Sequence, residues 1–235
     1  MTRRRSRPSR SWETWSVVLL TASFVLAFAV ETLGNLGWSQ ALALQPDEFF
    51  ASWKVLRHAP SDVSGWLGLA HLWTPVFAHA DAKHLLHNVI FFWFFGSLLA
   101  RAAGDGWLLI TFVITAATAS LAYALQNPEG LPMIGASGAI SGVAGAYCLL
   151  AFRWDVPDAY AWPLAYPISP LQAAAAAVLA AGTDLFFLAG SGGAPTGVAH
   201  EAHLGGFVGG LLVAMLLTTV FPSRAAFLRF RRRGA

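Results

Sequence analysis

Residues 135–152 read GASGAISGVAGAYCLLAF, eighteen positions without one charged side chain. A membrane-spanning helix needs about 20 mostly apolar residues, so the segment from Ser137 to Phe152 is just short of a full crossing. Its outer end is expected to start below the membrane surface, and that end opens on a serine between glycines. Five further segments reach or approach spanning length: Trp15–Leu33, His84–Ala103, Trp107–Leu125, Pro170–Leu188 and Ala199–Phe221. The expected fold is therefore an all-α polytopic membrane protein, a bundle of six transmembrane helices.

Composition agrees. Charged residues make up 11% of the chain and hydrophobic residues 56%, with a mean hydropathy of +0.56. A water-soluble domain carries about 25% charged residues. A chain this poor in charge cannot cover a water-facing surface, so the lipid bilayer is its solvent. The arginines at 3, 4, 5, 7 and 10 followed by an apolar run from Val17 to Val30 imitate a signal peptide. The run is long and ends in Glu31, Thr32 and Leu33, which favours an uncleaved first span. The lone cysteine, Cys148, excludes an intramolecular disulfide and sits in an apolar stretch as a buried thiol.

The basic residues set the expected orientation. Arginines cluster at both ends, with five among residues 1–13 and five among residues 222–235. Beside apolar spans they read as cytoplasmic flanks facing anionic lipid, with no role in binding nucleic acid. With the N-terminus inside, six spans return the C-terminus inside as well, and Arg101 and Arg153 join the inner set. Twelve of the fifteen Lys and Arg then lie inside. Three segments follow: a basic cytoplasmic N-terminal tail at 1–13, a membrane domain at 14–221 and a basic cytoplasmic C-terminal tail at 222–235. In this topology all seven histidines fall on the outer half. The connection from Gly34 to Lys83 carries Trp53, Trp66 and Trp73 among other aromatics, a composition suited to short helices at the membrane–water interface.

Three motifs carry chemistry. In the first, residues 135–142, Ser137 opens a helix whose first-turn N–H groups are free to stabilise an oxyanion. The flanking glycines admit close backbone approach. A packing seam between helices uses the same small residues, Gly138 and Gly142. In the second, His203 near the outer end of the sixth span precedes Gly206 and Gly210 at GxxxG spacing. An ionisable residue there is a candidate functional group, and the glycines let the sixth helix approach the glycine-rich fourth. In the third, His84 and Asn88 lie four apart on one face of the second span and could both donate to an oxyanion. Asp184 and Glu201, near the outer ends of the fifth and sixth spans, are expected to face water or a loop. Glu201 is two residues from His203 and so points to another face.

GxSG in the fourth span, H-x-x-x-N opening the second and AHxxG in the sixth together resemble the rhomboid family of intramembrane serine proteases. The resemblance extends over nearly the whole chain, from Trp15 to Phe221. It implies a six-helix bundle with a long interfacial first outer loop, and a serine-type endopeptidase that cleaves transmembrane protein substrates without a cofactor. It further implies a Ser137–His203 dyad without an acidic third member. His84, Asn88 and the Ser137 backbone N–H would form the oxyanion hole. Gly135 and Gly138 would keep the serine accessible, with Gly206 and Gly210 supporting the helix crossing. His79 matches a loop histidine read as structural. Two positions depart from the pattern. Ala70 and His71 stand where many relatives carry Trp-Arg, and Ser141 stands where some place an aromatic against the catalytic histidine. A compact chain with short basic ends suits a bacterial inner membrane.

Two alternatives remain at the level of sequence. One is a catalytically inactive rhomboid-like protein that binds membrane clients. The other is a histidine-rich metal-binding membrane protein using His84 with His87 and His200 with His203. Their H-x-x-H spacing is one residue short of the zinc-protease pattern, and a metal reading leaves Ser137 and Asn88 unexplained, so no metal site is expected.

Overall fold

The computed structural model describes residues 14–159, 167–190 and 197–233. The expected N-terminal basic tail lies outside the described residues. The first helix, α1 (Trp15–Gly34), is capped by Asn35 in the left-handed conformation. The long first connection then folds into three short helices, α2 (Trp38–Leu42), α3 (Pro46–His58) and α4 (Val63–Leu69), and two 3₁₀ turns at Ala70–Leu72 and Thr74–Phe77. Five helices follow: α5 (Ala82–Ala103), α6 (Asp105–Gln126), α7 (Ser137–Arg153), α8 (Pro170–Gly190) and α9 (His200–Val220). A last helix, α10 (Arg224–Arg233), occupies the segment expected as a tail.

Five helices, α1, α5, α6, α8 and α9, are long and apolar enough to cross a membrane. With 17 residues, α7 is shorter, and it is enclosed by α5, α6, α8 and α9. Its burial extends over Gly138 to Ile140, Gly142 to Cys148 and Leu150. Around this axis the outer helices turn large apolar side chains outward, among them Leu26, Leu179, Phe186 and Leu216. The chain is a polytopic helical membrane protein, so those side chains find in lipid a solvent as apolar as a core.

Lipid removes the usual hydrophobic drive between helices, and close packing with interhelical hydrogen bonds takes its place. The glycines of α7 and α9 supply the packing. A methyl group on Gly206 would overlap the Gly138 carbonyl oxygen, and one on Gly210 would overlap that of Gly142. The backbones of α7 and α9 therefore touch, as the two small-residue motifs predicted. Polar anchors are few but well placed. Thr115 Oγ1 donates to the Ala139 carbonyl across the α6–α7 interface at 3.1 Å. Ser16 at the start of α1 donates from both N and Oγ to Asp105 at the start of α6. Each such bond is worth roughly 1 kcal/mol in this setting.

The two ends of the bundle differ in construction. At one end, Trp154 donates from Nε1 to the Phe221 carbonyl at 2.9 Å and stacks on the buried Phe227 of α10. Arg224 donates to the carbonyls of Arg101 and Ala102, which close α5. The apolar residues Phe227 and Leu228 among the arginines were the signal for this docked helix. At the other end, the loop before α7 is stitched to the first connection. Leu44 and Met133 exchange backbone hydrogen bonds, and Gly135 donates its N–H to the Pro75 carbonyl at 2.9 Å. Trp73 and Ser120 tie the same connection to α6. These pins set where α7 begins.

Candidate active site

The pinned loop turns at Gly135, whose φ of +111° is a conformation that a Cβ would strain. The turn delivers Ser137 as the first residue of α7, so its N–H and those of the next turn have no helical partner. On α9, His203 lies in the first turn. The glycine crossing of α7 and α9 brings the two together: His203 Nε2 is 2.8 Å from Ser137 Oγ.

The other imidazole nitrogen is held from α8. His203 Nδ1 lies 2.9 Å from Asp184 Oδ1. A carboxylate only accepts, so Nδ1 carries the proton and donates, leaving Nε2 bare to accept from the Ser137 hydroxyl. The same Asp184 oxygen is 2.7 Å from His200 Nδ1, and the His200 ring stacks on Phe187 at 5.2 Å between centroids. Asp184 is thus largely withdrawn from solvent, with its side chain 13% exposed. The expectation that it faces water or a loop is corrected. An aspartate inside a spanning helix is costly unless it is paired, and that cost was the signal in the sequence. Spacing concealed the partner, because Asp184 and His203 belong to different helices. Glu201 is instead within electrostatic range of Tyr123 on α6.

These groups open onto a cavity of about 800 Å³ lined by residues of α5, α6, α7, α8 and α9 and of the loops before α5, α7 and α9. His84 and Asn88 line it from α5, together with Ser137 and His203. Asp81 caps α5 by accepting the His84 N–H at 2.7 Å, which fixes where His84 starts its helix. That bond to its carboxylate is the largest influence holding the Asp81 acid below the usual carboxylate range. His84 Nδ1 faces the Ala80 N–H at a long 3.5 Å, leaving Nε2 as the donor. The ring lies over the Cα of Gly135, where a Cβ would come within 2.7 Å of Nε2. Gly135 is therefore required both by its turn and by the imidazole above it. Asn88 donates one Nδ2 hydrogen to the His84 carbonyl at 2.9 Å, while its buried Oδ1 meets no partner.

Behind His84 stands His79, 2% exposed, with both ring nitrogens unpartnered. The two rings meet edge to face at 5.2 Å. Burial, reinforced by the charge of His84, pushes the His79 pKa from 6.5 down to about 4. It is neutral at physiological pH and acts as packing, as its loop position suggested.

The two histidine pairs do not gather around one point. Among the described residues, the ligand atoms close enough to share an ion are those of Asp184, His200 and His203, all within 4.8 Å of one another. That trio excludes His84 and His87. Ser141, one turn below Ser137, lines the cavity. No aromatic stands at that position, and the far nitrogen of the His203 ring meets Asp184 instead.

Residues 67–220 match the family model for the rhomboid domain. The chain is similar to Rhomboid-like protein 11, chloroplastic, of Arabidopsis thaliana, at 30% identity over 64% of this chain and 52% of that protein. It is also similar to Rhomboid protease GluP of Bacillus subtilis, at 28% identity over 66% of this chain and 27% of that protein. Rhomboid protease GlpG of Klebsiella pneumoniae is 26% identical over 60% of this chain and 42% of that protein. The chain thus spans about half the length of these relatives or less. The helical bundle, the serine and histidine motifs on the expected helices and the match over most of the chain lead to one assignment: this protein belongs to the rhomboid family.

Proposed function

We propose that this protein is an intramembrane serine endopeptidase that hydrolyses peptide bonds in or beside transmembrane segments of other membrane proteins. The observation that carries the reading is the 2.8 Å approach of Ser137 Oγ to His203 Nε2 at the wall of a cavity. A serine hydroxyl is a weak nucleophile without a base at hydrogen-bonding distance.

In this reading the Ser137 hydroxyl gives its proton to His203 Nε2 as its oxygen attacks the scissile carbonyl. The oxyanion that forms accepts from the Ser137 N–H, His84 Nε2 and the free Nδ2 hydrogen of Asn88. His203 then passes the proton to the leaving amine, which leaves an acyl group on Ser137. Water repeats the sequence in reverse and releases the acid. The reading requires no cofactor.

The cavity supports hydrolysis because it gives water a place that lipid denies. It lies between α5 and α8, two helices that barely touch each other, so a substrate helix would approach from the lipid between them. A spanning helix hides its carbonyls in its own hydrogen bonds, so the substrate must first unwind locally. Small or helix-weakening residues near the outer interface would favour cleavage. The docked basic end of the bundle is read as cytoplasmic, with both termini there and the cavity toward the outer face. A bacterial plasma membrane is the proposed location.

The test is cleavage of a transmembrane substrate by protein reconstituted in vesicles. Wild type should cut it, and Ser137→Ala should not. A fluorophosphonate probe should label wild type alone. Cleavage by Ser137→Ala at the wild-type rate would end the serine reading, and cleavage abolished by a chelator would favour the Asp184, His200 and His203 trio as a metal site.

A further inference from the structure

We propose that Asp184 is a positioning residue for His203, converting the pair into a Ser137–His203–Asp184 array, with His200 as the second donor that holds the carboxylate. The inference rests on the serine-protease reading above and adds a side chain from α8 to it.

The geometry is specific. Ser137 Oγ, His203 Nε2, His203 Nδ1 and Asp184 Oδ1 form a continuous hydrogen-bonded chain with links of 2.8 and 2.9 Å. The carboxylate imposes the Nδ1–H tautomer, the one that leaves Nε2 free to take the serine proton. When that proton arrives, the imidazolium finds a negative charge at hydrogen-bonding distance in a partly buried site, where charge-assisted bonds are strong. The proton on Nδ1 stays where it is, and Asp184 remains ionised throughout.

His200 explains how the carboxylate is kept in register. Three residues before His203, it faces the same way on α9 and donates to the same Oδ1 at 2.7 Å. Its ring is fixed by stacking on Phe187 of α8. Two N–H donors offset the cost of withdrawing a carboxylate from water. Ser141 offers no ring on which the imidazole could rest, so Asp184 supplies the orientation that the helix below does not. The other titratable groups on the cavity wall are His84, His87, Asp81 and Lys83, contributed by α5 and its cap.

Asp184→Asn keeps the size of the side chain and removes its charge. Reconstituted Asp184→Asn should lose roughly ten- to a thousandfold in kcat/KM, and as much in the rate of fluorophosphonate labelling. The acid limb of its kcat/KM profile should move to lower pH, because the imidazolium loses its carboxylate. Asp184→Glu should restore part of the rate and of the profile. A merely structural role would leave the acid limb in place. In wild type, ¹⁵N spectra should show His203 protonated on Nδ1 near neutral pH, a measurement independent of how the variants fold. The proposal is overturned if Asp184→Asn stays within twofold of wild type with an unmoved acid limb, or if His203 carries its proton on Nε2. Retained cleavage in Ser137→Ala would instead remove the reading beneath it, a result visible separately.

Discussion

Gly206 of α9 lies directly against the carbonyl oxygen of Gly138 in α7, one residue past the serine. Nothing larger than a hydrogen fits between the two backbones. The contact sets the distance between the helices, and that distance sets whether His203 reaches Ser137. Gly206→Val should therefore destabilise the bundle by about 1–3 kcal/mol, the usual cost of overpacking a tight interface. Thermal unfolding in detergent would measure it. Cleavage should fall further than stability does, because the same displacement draws the imidazole away from the hydroxyl.

The two residues of the pair should behave as one unit. Ser137→Ala and His203→Ala should each reduce turnover by roughly a thousandfold or more, and the double variant should lose no more than the worse single one. Unfolding midpoints should stay near the wild-type value, since neither side chain is a core packing element. Additive losses would mean that the two residues act separately.

Asn88 faces the cavity one turn below His84, with a buried amide oxygen that meets no partner. Its Nδ2 spends one hydrogen on the His84 carbonyl, and the second is the donor held ready for a transient acceptor. Asn88→Ala should lower kcat roughly ten- to a thousandfold with a smaller change in KM. A variant that changed KM alone would assign Asn88 to ground-state binding.

His79 supplies a pH prediction. Its folded-state pKa of about 4 lies below the ordinary 6.5, so between those values the unfolded chain binds the proton that the folded chain refuses. Stability should be unaffected by His79 above about pH 6.5 and should fall as the pH drops toward 4, levelling off below it. Unfolding midpoints measured between pH 7 and 4 should decline less steeply in His79→Phe, which keeps a ring beside Phe24 and His84.

Much of this was legible before any coordinates. The spans near Trp15, His84, Trp107, Pro170 and Ala199 were readable because lipid demands long uninterrupted apolar runs. The approach of His203 to Ser137 was expected because each stands at the opening of a span beside glycines, and the contact of their helices followed from the GxxxG spacing. The docking of α10 was not read, since its arginines outweigh Phe227 and Leu228 in any count along the chain.

Asp184 marks the boundary. The sequence alone turned it toward water or a loop, because the local pattern offered no partner. The partners, His200 and His203, lie 16 and 19 residues further along the chain on another helix. Periodicity relates residues within one helix, so it assigned the spans, the glycine faces and the helix ends. Which side chains from different helices share a hydrogen bond depends on the rotation and depth of each helix in the bundle. Packing among all of them settles those two quantities, and only the tertiary structure decided that one carboxylate oxygen would hold both imidazoles.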